Sequence, residues 1–237
     1  MSSNAEALSL AGRGERGPLW ITAGRQTGGR GRRGRPWVSE RGNLFASLLL
    51  TDTAPPEHWP ELAFVAALAI HDAVSEVAPA LRQQLAIKWP NDLLLSGKKF
   101  SGILIESEGG AEGTGSVVVG IGVNCISHPS DTDYPATDLK AASAEVSAEA
   151  LFTALSAKML GRLAQWNNGE HFSTIRADWL ARAAGRGQEV RLLLAEDEVV
   201  SGLFTDVDEA GRLVLSLPDG SRKTVAAGDI VALGEGR

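Results

Sequence analysis

Two short stretches of this 237-residue chain concentrate residues that could do chemistry. Residues 24–35 read G-R-Q-T-G-G-R-G-R-R-G-R and carry +5 in a chain of net charge −6, so the remaining residues sum to −11. Glycine lets a backbone approach a ligand closely and adopt positive φ, while the arginine fork grips phosphate or carboxylate through parallel hydrogen bonds. The combination suits a loop that closes on an anion. Taken alone it reads equally well as a pliable RNA-binding tract or a solvated loop. Its place between two apolar runs, with bulky Pro36-Trp37 directly after it, favours the anion-gripping loop. The tract lacks the terminal Gly-Lys-Ser/Thr of a Walker A loop and is not a dinucleotide fingerprint.

The second stretch is Lys88-Trp89-Pro90-Asn91-Asp92. Pro90 keeps Trp89 out of helical geometry, which places the aromatic and the Asn-Asp pair in a fixed turn at a strand end. Farther on, in K-K-F-S-G-I-L (98–104), Lys98 and Lys99 point to opposite faces of any strand, so only one can face a cleft. Gly102 leaves room where a side chain would block a ligand. Residues 119–124, V-G-I-G-V-N, then read as a strand with two glycines and a polar amide, Asn124, at its end. Each piece alone has a plain structural explanation, such as a solvated lysine or a bulge glycine.

The elements that must position these residues follow from periodicity. Residues 4–11 read as a short helix stopped by Gly12 and Gly14, and 19–23 as a strand leading into the Gly/Arg tract. Residues 43–50 form an apolar run suited to a strand buried on both faces. Leu62, Val65, Leu68, Ala69, Ala73 and Val77 recur at helical spacing within a helix over 56–78. Strands follow at 85–89, 100–106 and 116–123, with a polar turn around Ser96-Gly97, and helices return at 148–166 and 170–183. After Gly185 and Gly187 come five short strands, 189–194, 199–206, 212–217, 222–226 and 230–233, separated by turn signals. The pattern predicts an α/β (α+β) domain over residues 1–184 and a small SH3-like β-barrel over 185–237.

Bulk properties narrow the field without deciding it. The chain is 43% hydrophobic and 22% charged, ordinary for a globular protein, and its net acidity does not suit a nucleic-acid or membrane coat. A single cysteine, Cys125, excludes an intramolecular disulfide. Residues 1–14 lack the apolar core of a secretion signal, and the longest apolar stretch is less than half the roughly 20 residues that span a bilayer. A cytoplasmic enzyme fits. The four histidines show no zinc spacing, and His71 reads as a surface residue of its helix. Cys125 reads as a packed small residue, and Trp20, Trp59, Trp166 and Trp179 as core or rim. Trp37 and Trp89 flank the proposed site; Trp37 either stacks on a base or anchors its loop.

In combination, G-R-G-R-R-G-R-P-W (29–37), K-W-P-N-D (88–92), K-F-S-G-I-L (99–104) and G-I-G-V-N (120–124) resemble the biotin protein ligase family. The resemblance extends over essentially the whole chain. It implies a catalytic domain like the class II aminoacyl-tRNA synthetase cores and a small SH3-like C-terminal domain. It also implies a two-step reaction, in which ATP and Mg²⁺ convert biotin to biotinyl-5′-AMP before transfer to a lysine. The acceptor would be a biotin carboxyl carrier protein or the biotinyl subunit of an acyl-CoA carboxylase. By carry-over, Ser2, Ser3, Asn4, Gln26, Arg30, Gly31, Arg32, Lys99 and Gly102 would line the biotin site. Arg30, Arg32, Arg35, Trp37, Asn91 and Asn124 would bind ATP, with magnesium on its phosphates near Asp92. The family pattern has a strand before its Ser-Thr-Asn motif, whereas here Ser2-Ser3-Asn4 begins at residue 2. A ligase without operator DNA binding is expected, and a homodimer is compatible.

The expected mechanism is electrostatic. A carboxylate attacking a phosphate brings two anions together, and fixed cations lower that repulsion. Lys99 takes the charge between carboxylate and α-phosphate, Arg32 holds phosphates, and Asp92 orients the acceptor amine or organises the metal. The Gly/Arg loop closes over the labile mixed anhydride and excludes water. A lipoate or octanoate ligase of the same superfamily and an RNA-binding module remain the rivals.

Overall fold

The computed structural model describes residues 1–109, 115–194 and 198–233. Among the described residues, ten strands or helices build the first unit. Helix α1 (Ser3–Gly12) opens it, with the Ser2 hydroxyl accepting from the Ala5 N–H as its N-cap. Strands β1 (Leu19–Thr22), β2 (Leu44–Thr51), β3 (Leu85–Lys88), β4 (Asp92–Leu95), β5 (Lys98–Gly109) and β6 (Gly115–Val123) form a six-stranded sheet in the order β1-β2-β6-β5-β4-β3. Every neighbouring pair in it is antiparallel.

The sheet is covered on both faces. Helices α2 (Leu62–Val77), α3 (Ala148–Trp166) and α4 (Phe172–Leu180) share the main core with Leu44, Ala46, Leu48 and Leu50 of β2. Helix α1 packs Ala7 against Leu49 and Val118 on the other side. This is why β2 is apolar at consecutive positions rather than alternate ones.

Two elements differ from the periodicity reading. The helix expected over 56–78 begins with a 3₁₀ turn, Pro56–Glu61, because Pro60 removes a donor, and the α-helix starts only at Leu62. Strand β4 was not expected: its four residues are buried, but the run is too short to show a period. It turns back into β5 through Ser96 (φ 49°) and Gly97 (φ 77°), the left-handed pair a tight hairpin needs. His71 corrects a further expectation: it is only 7% exposed, packed inside α2's buried face beside Asp72. Cys125 is fully buried.

The second unit is a five-stranded antiparallel sheet, β7 (Glu189–Leu193), β8 (Val199–Val207), β9 (Leu213–Ser216), β10 (Arg222–Val225) and β11 (Asp229–Leu233), in the order β10-β9-β8-β7-β11. It does not stand apart. Val190, Leu192, Phe204, Leu213 and Leu215 belong to the same continuous core as α2 and β3. The Trp89 indole donates to the Gly211 carbonyl (3.0 Å), and Arg176 of α4 donates to the Val207 carbonyl (2.6 Å). The two sheets therefore meet beside the turn that joins β3 to β4.

Candidate active site

A cleft of about 350 Å³ opens where α1, the Gly/Arg loop, the β3–β4 turn and β11 converge. It gathers most of the residues singled out by type and spacing. From α1 and its cap come Ser2, Ser3 and Asn4; from the loop come Gln26, Arg30, Gly31, Arg32, Arg35 and Trp37; from the turn and β5 come Asn91, Asp92, Lys99 and Gly102.

The α1 end is a locked polar network. The Gln26 side-chain carbonyl accepts from the Ser3 N–H (2.8 Å) and Ser3 hydroxyl (3.1 Å), while its amide donates to Ser39 Oγ (3.0 Å). The Asn4 amide donates to Glu106 Oε2 (2.8 Å), and its carbonyl accepts from Ser47 Oγ. Asn4 can lie this close to the sheet because β6 has no side chain at Gly120, where a Cβ would sit 2.2 Å from Asn4 Oδ1. Gly122, two residues on, plays the same part for Trp37: a Cβ there would stand 2.6 Å from the indole ring. The G-I-G spacing thus makes one strand face flat for both.

Trp37 also covers Gly102, where a Cβ would meet its ring at 3.0 Å. The room at Gly102 is accordingly filled by Trp37 rather than left open, and Trp37 anchors its loop on the sheet. The loop itself folds back at 29–37, with Gly31 N–H donating to the Arg35 carbonyl (2.8 Å) and Trp37 N–H to the Gly29 carbonyl (3.0 Å).

Its arginines are held by acids far away in sequence. Arg30 donates to Glu106 through Nε (3.1 Å) and Nη2 (2.8 Å). Arg32 reaches Asp229 of β11 (3.2 Å), the Gly228 carbonyl (3.2 Å) and Asn91 Oδ1 (3.5 Å), and Arg35 reaches Asp229 at 2.9 Å. Burial pulls the Arg32 pKa down, with Asp229 opposing that pull.

The opposite wall is a cluster of two lysines on one carboxylate. Lys99 Nζ lies 2.6 Å from Asp92 Oδ1, and Lys88 Nζ lies 3.2 Å from Asp92 Oδ2. Burial works against the Asp92 carboxylate, but Lys99 and Lys88 outweigh it and hold its pKa below the ordinary value. Two rings flank the Lys99 ammonium, Tyr134 with its centroid at 5.0 Å and Trp37 at 5.4 Å. Burial raises the Tyr134 pKa, with Asp92 adding to the rise.

Two expectations need correction. Asn124 is not part of the cleft lining; it is buried, its amide donates to the Thr137 carbonyl (3.0 Å), and it braces the segment that carries Tyr134. Trp89 is 1% exposed and packs between the two sheets, not into the cleft. Asp92 has both oxygens on ammonium groups, and among the described residues no three His, Cys, Asp or Glu side chains stand together to hold a metal. Magnesium near Asp92 would accordingly rest mainly on the ATP phosphates.

Glu106, Tyr134 and Asp229 escaped the sequence reading. None lies in a Gly-rich or paired-charge motif, and only the sheet register and the docking of β11 bring them to the site.

Comparison with known proteins gives a consistent picture. Residues 9–124 match the Biotin/lipoate A/B protein ligase family, and residues 186–232 match the Biotin protein ligase C terminal domain. The chain is 39% identical to a biotin–[acetyl-CoA-carboxylase] ligase of Paracoccus denitrificans, over 97% of this chain and 96% of that one. It is 33% identical to the corresponding ligase of Mycobacterium tuberculosis, over 98% and 86%. Among solved structures, the biotin protein ligase of Aquifex aeolicus in complex with biotin and ATP superposes with a TM-score of 0.73 at 26% identity, over 91% of this chain and 88% of that one. A synthetase-like α/β unit with an SH3-like β-unit is the shared architecture, as the sequence pattern anticipates.

Proposed function

Because the chain belongs to the biotin protein ligase family, we propose that its cleft joins biotin to ATP and passes the biotinyl group to a lysine of an acetyl-CoA carboxylase. In the first step a carboxylate oxygen of biotin bonds to the α-phosphorus of ATP, and the bond to pyrophosphate breaks. In the second, the acceptor amine attacks the acyl carbon, AMP leaves with the electron pair, and the amine proton passes to solvent. No covalent enzyme intermediate is needed. The observation that carries this reading is the meeting, in one cleft, of the amide- and hydroxyl-rich end of α1, the Lys99 ammonium and three loop guanidiniums.

Residue roles follow from chemistry. The ureido group of biotin offers one carbonyl and two N–H groups, which suit the interlocked hydroxyls and amides of Ser2, Ser3, Asn4 and Gln26. Lys99, held between Tyr134 and Trp37, stabilises the charge that develops between biotin's carboxylate and the α-phosphate. Arg30, Arg32 and Arg35 grip phosphate oxygens in place of Glu106 and Asp229, and the loop then excludes water from the anhydride. Mg²⁺, carried on the ATP phosphates beside Asp92, would neutralise part of their charge. Asp92, which can accept hydrogen bonds but starts paired, orients the acceptor amine.

The acceptor is read as a biotin carboxyl carrier protein. A net charge of −6, with the loop arginines paired to Glu106 and Asp229, favours a ligase that acts without DNA. Among the described residues no helix is long and apolar enough to cross a membrane, and a cytoplasmic setting suits an ATP-dependent reaction. Pairing into a homodimer is compatible with the family. ATP–pyrophosphate exchange tests the reading: biotin should drive it, and exchange driven by lipoate but not by biotin would overturn it.

A further inference from the structure

The β3–β4 hairpin places Lys88 directly across from Asp92, since the two are register partners in the antiparallel pair. The three residues between them, Trp89 to Asn91, allow no slip. Asp92 therefore carries one ammonium on each oxygen, Lys88 on Oδ2 and Lys99 on Oδ1, and all three side chains are less than one-fifth exposed. Lys88 is further fixed by donating to the Ile230 carbonyl of β11 at 3.4 Å. Among the described residues Lys99 has no such second tie; its other neighbours are the faces of Trp37 and Tyr134. One lysine is thus anchored and the other is free to swing between two rings.

The arrangement has a consequence for catalysis. In a dry cleft, a lone Lys99–Asp92 pair would resist separation, because parting it strands an uncompensated carboxylate. A second ammonium on the same carboxylate removes that penalty. We propose that Lys88 is a positioning residue: by holding Asp92 it frees Lys99 to leave that carboxylate for the reacting carboxylate and α-phosphate. The inference rests on the assignment of Lys99 to the adenylation step. In this role Lys88, although it lines the cleft, acts through Asp92.

Single-turnover formation of biotinyl-AMP by the full chain is the test, with thermal unfolding recorded for each variant. Lys88→Met should slow adenylation about ten- to a hundredfold at saturating biotin and ATP, the range for losing a charged hydrogen bond, with little change in either KM. Lys88→Arg should restore most of the rate. In an Asp92→Asn background, where no carboxylate restrains Lys99, adding Lys88→Met should cost nothing further. Additive losses in that cycle, an effect confined to KM, or an Asp92→Asn enzyme too slow to measure would overturn the proposal. Should Lys88→Met fail to fold, Lys88→Gln, which keeps a donor toward Ile230 without the charge, completes the same cycle. Lys99→Met separates the two levels: wild-type adenylation there sinks the Lys99 assignment, whereas an inactive Lys99→Met with an additive cycle sinks the Lys88 proposal alone.

Discussion

The lysine cluster at residues 88–99 and the arginine loop at residues 24–37 both present cations to one cleft, yet they are built on opposite terms. The lysines converge through local hairpins, on a buried carboxylate supplied by the same stretch of chain. The arginines rest on acids brought from β5 and β11, and Arg30 and Arg35 are about half exposed. A cation held by its own hairpin is aimed before any ligand arrives. A cation that is itself half exposed, as Arg30 and Arg35 are, can exchange its acid for a phosphate at little cost, because exposed pairs contribute only about 0–1 kcal/mol. The difference suits a lysine held a short swing from the developing charge and a loop that must open and close.

Perturbing each region should separate these roles. The largest effect is expected at Lys99: Lys99→Met should lower the adenylation rate about 10²–10³-fold, the usual loss for one preorganised charge-stabilising group. Rapid-quench measurement of biotinyl-AMP would check it. Next, Arg32→Ala should slow adenylation by about tenfold or more and release biotinyl-AMP into solution, since it loses a charged contact and the loop closure. Unchanged retention of the adenylate on a filter or gel column would remove Arg32 from the loop's function.

Gly122→Ala probes the platform that the loop rests on. A Cβ 2.6 Å from the Trp37 ring should displace it and lower stability by about 1–3 kcal/mol, the usual cost of overpacking. Denaturant unfolding together with the ATP KM would show whether stability and loop closure fall together. Smallest should be Asp229→Asn, which weakens its pairs to the partly exposed Arg33 and Arg35 and to the more buried Arg32 while keeping a hydrogen-bonding side chain. A loss of about 1 kcal/mol or less in stability is expected, with a lowered ATP KM if Asp229 competes with phosphate.

Acid titration sharpens the same contrast. The Asp92 pKa is depressed in the fold, so its stabilising contribution is complete above the unfolded carboxylate value of about 3.9 and fades only as pH drops toward the lower folded value. The stability difference between wild type and Asp92→Asn should therefore stay constant from neutral pH to about pH 4 and shrink below it. A difference that vanishes already at pH 6 would contradict the pairing.

Much of this site was legible in the sequence, because glycines, arginines and the K-W-P-N-D turn announce themselves by type and spacing. Strand β2 and helix α2 were equally legible, since their apolar runs are long enough to show a period or the lack of one. Strand β4 was not, because its short buried run lies between the Asn-Asp turn and Ser96-Gly97 and shows no alternation. Asn124 illustrates a different limit. Its amide is as suitable for a nucleotide as for a carbonyl, and only the return of the chain at Thr137 assigns it to the latter.

What the amino-acid order determined by itself is the stock of cations, the alternation that puts Gly120 and Gly122 on one face of a strand, and the fixed turn before Pro90. These depend on contacts within a few residues or on strand alternation, which linear spacing encodes. What the tertiary structure alone decided is the partner of each cation. Glu106 meets Arg30 across 76 residues, Asp229 meets Arg32 across 197, and Tyr134 meets Lys99 by the folding back of a separate segment. Such pairings arise from loops and separate segments folding back over the sheet and, for Asp229, from the second sheet docking beside it, which no local spacing carries.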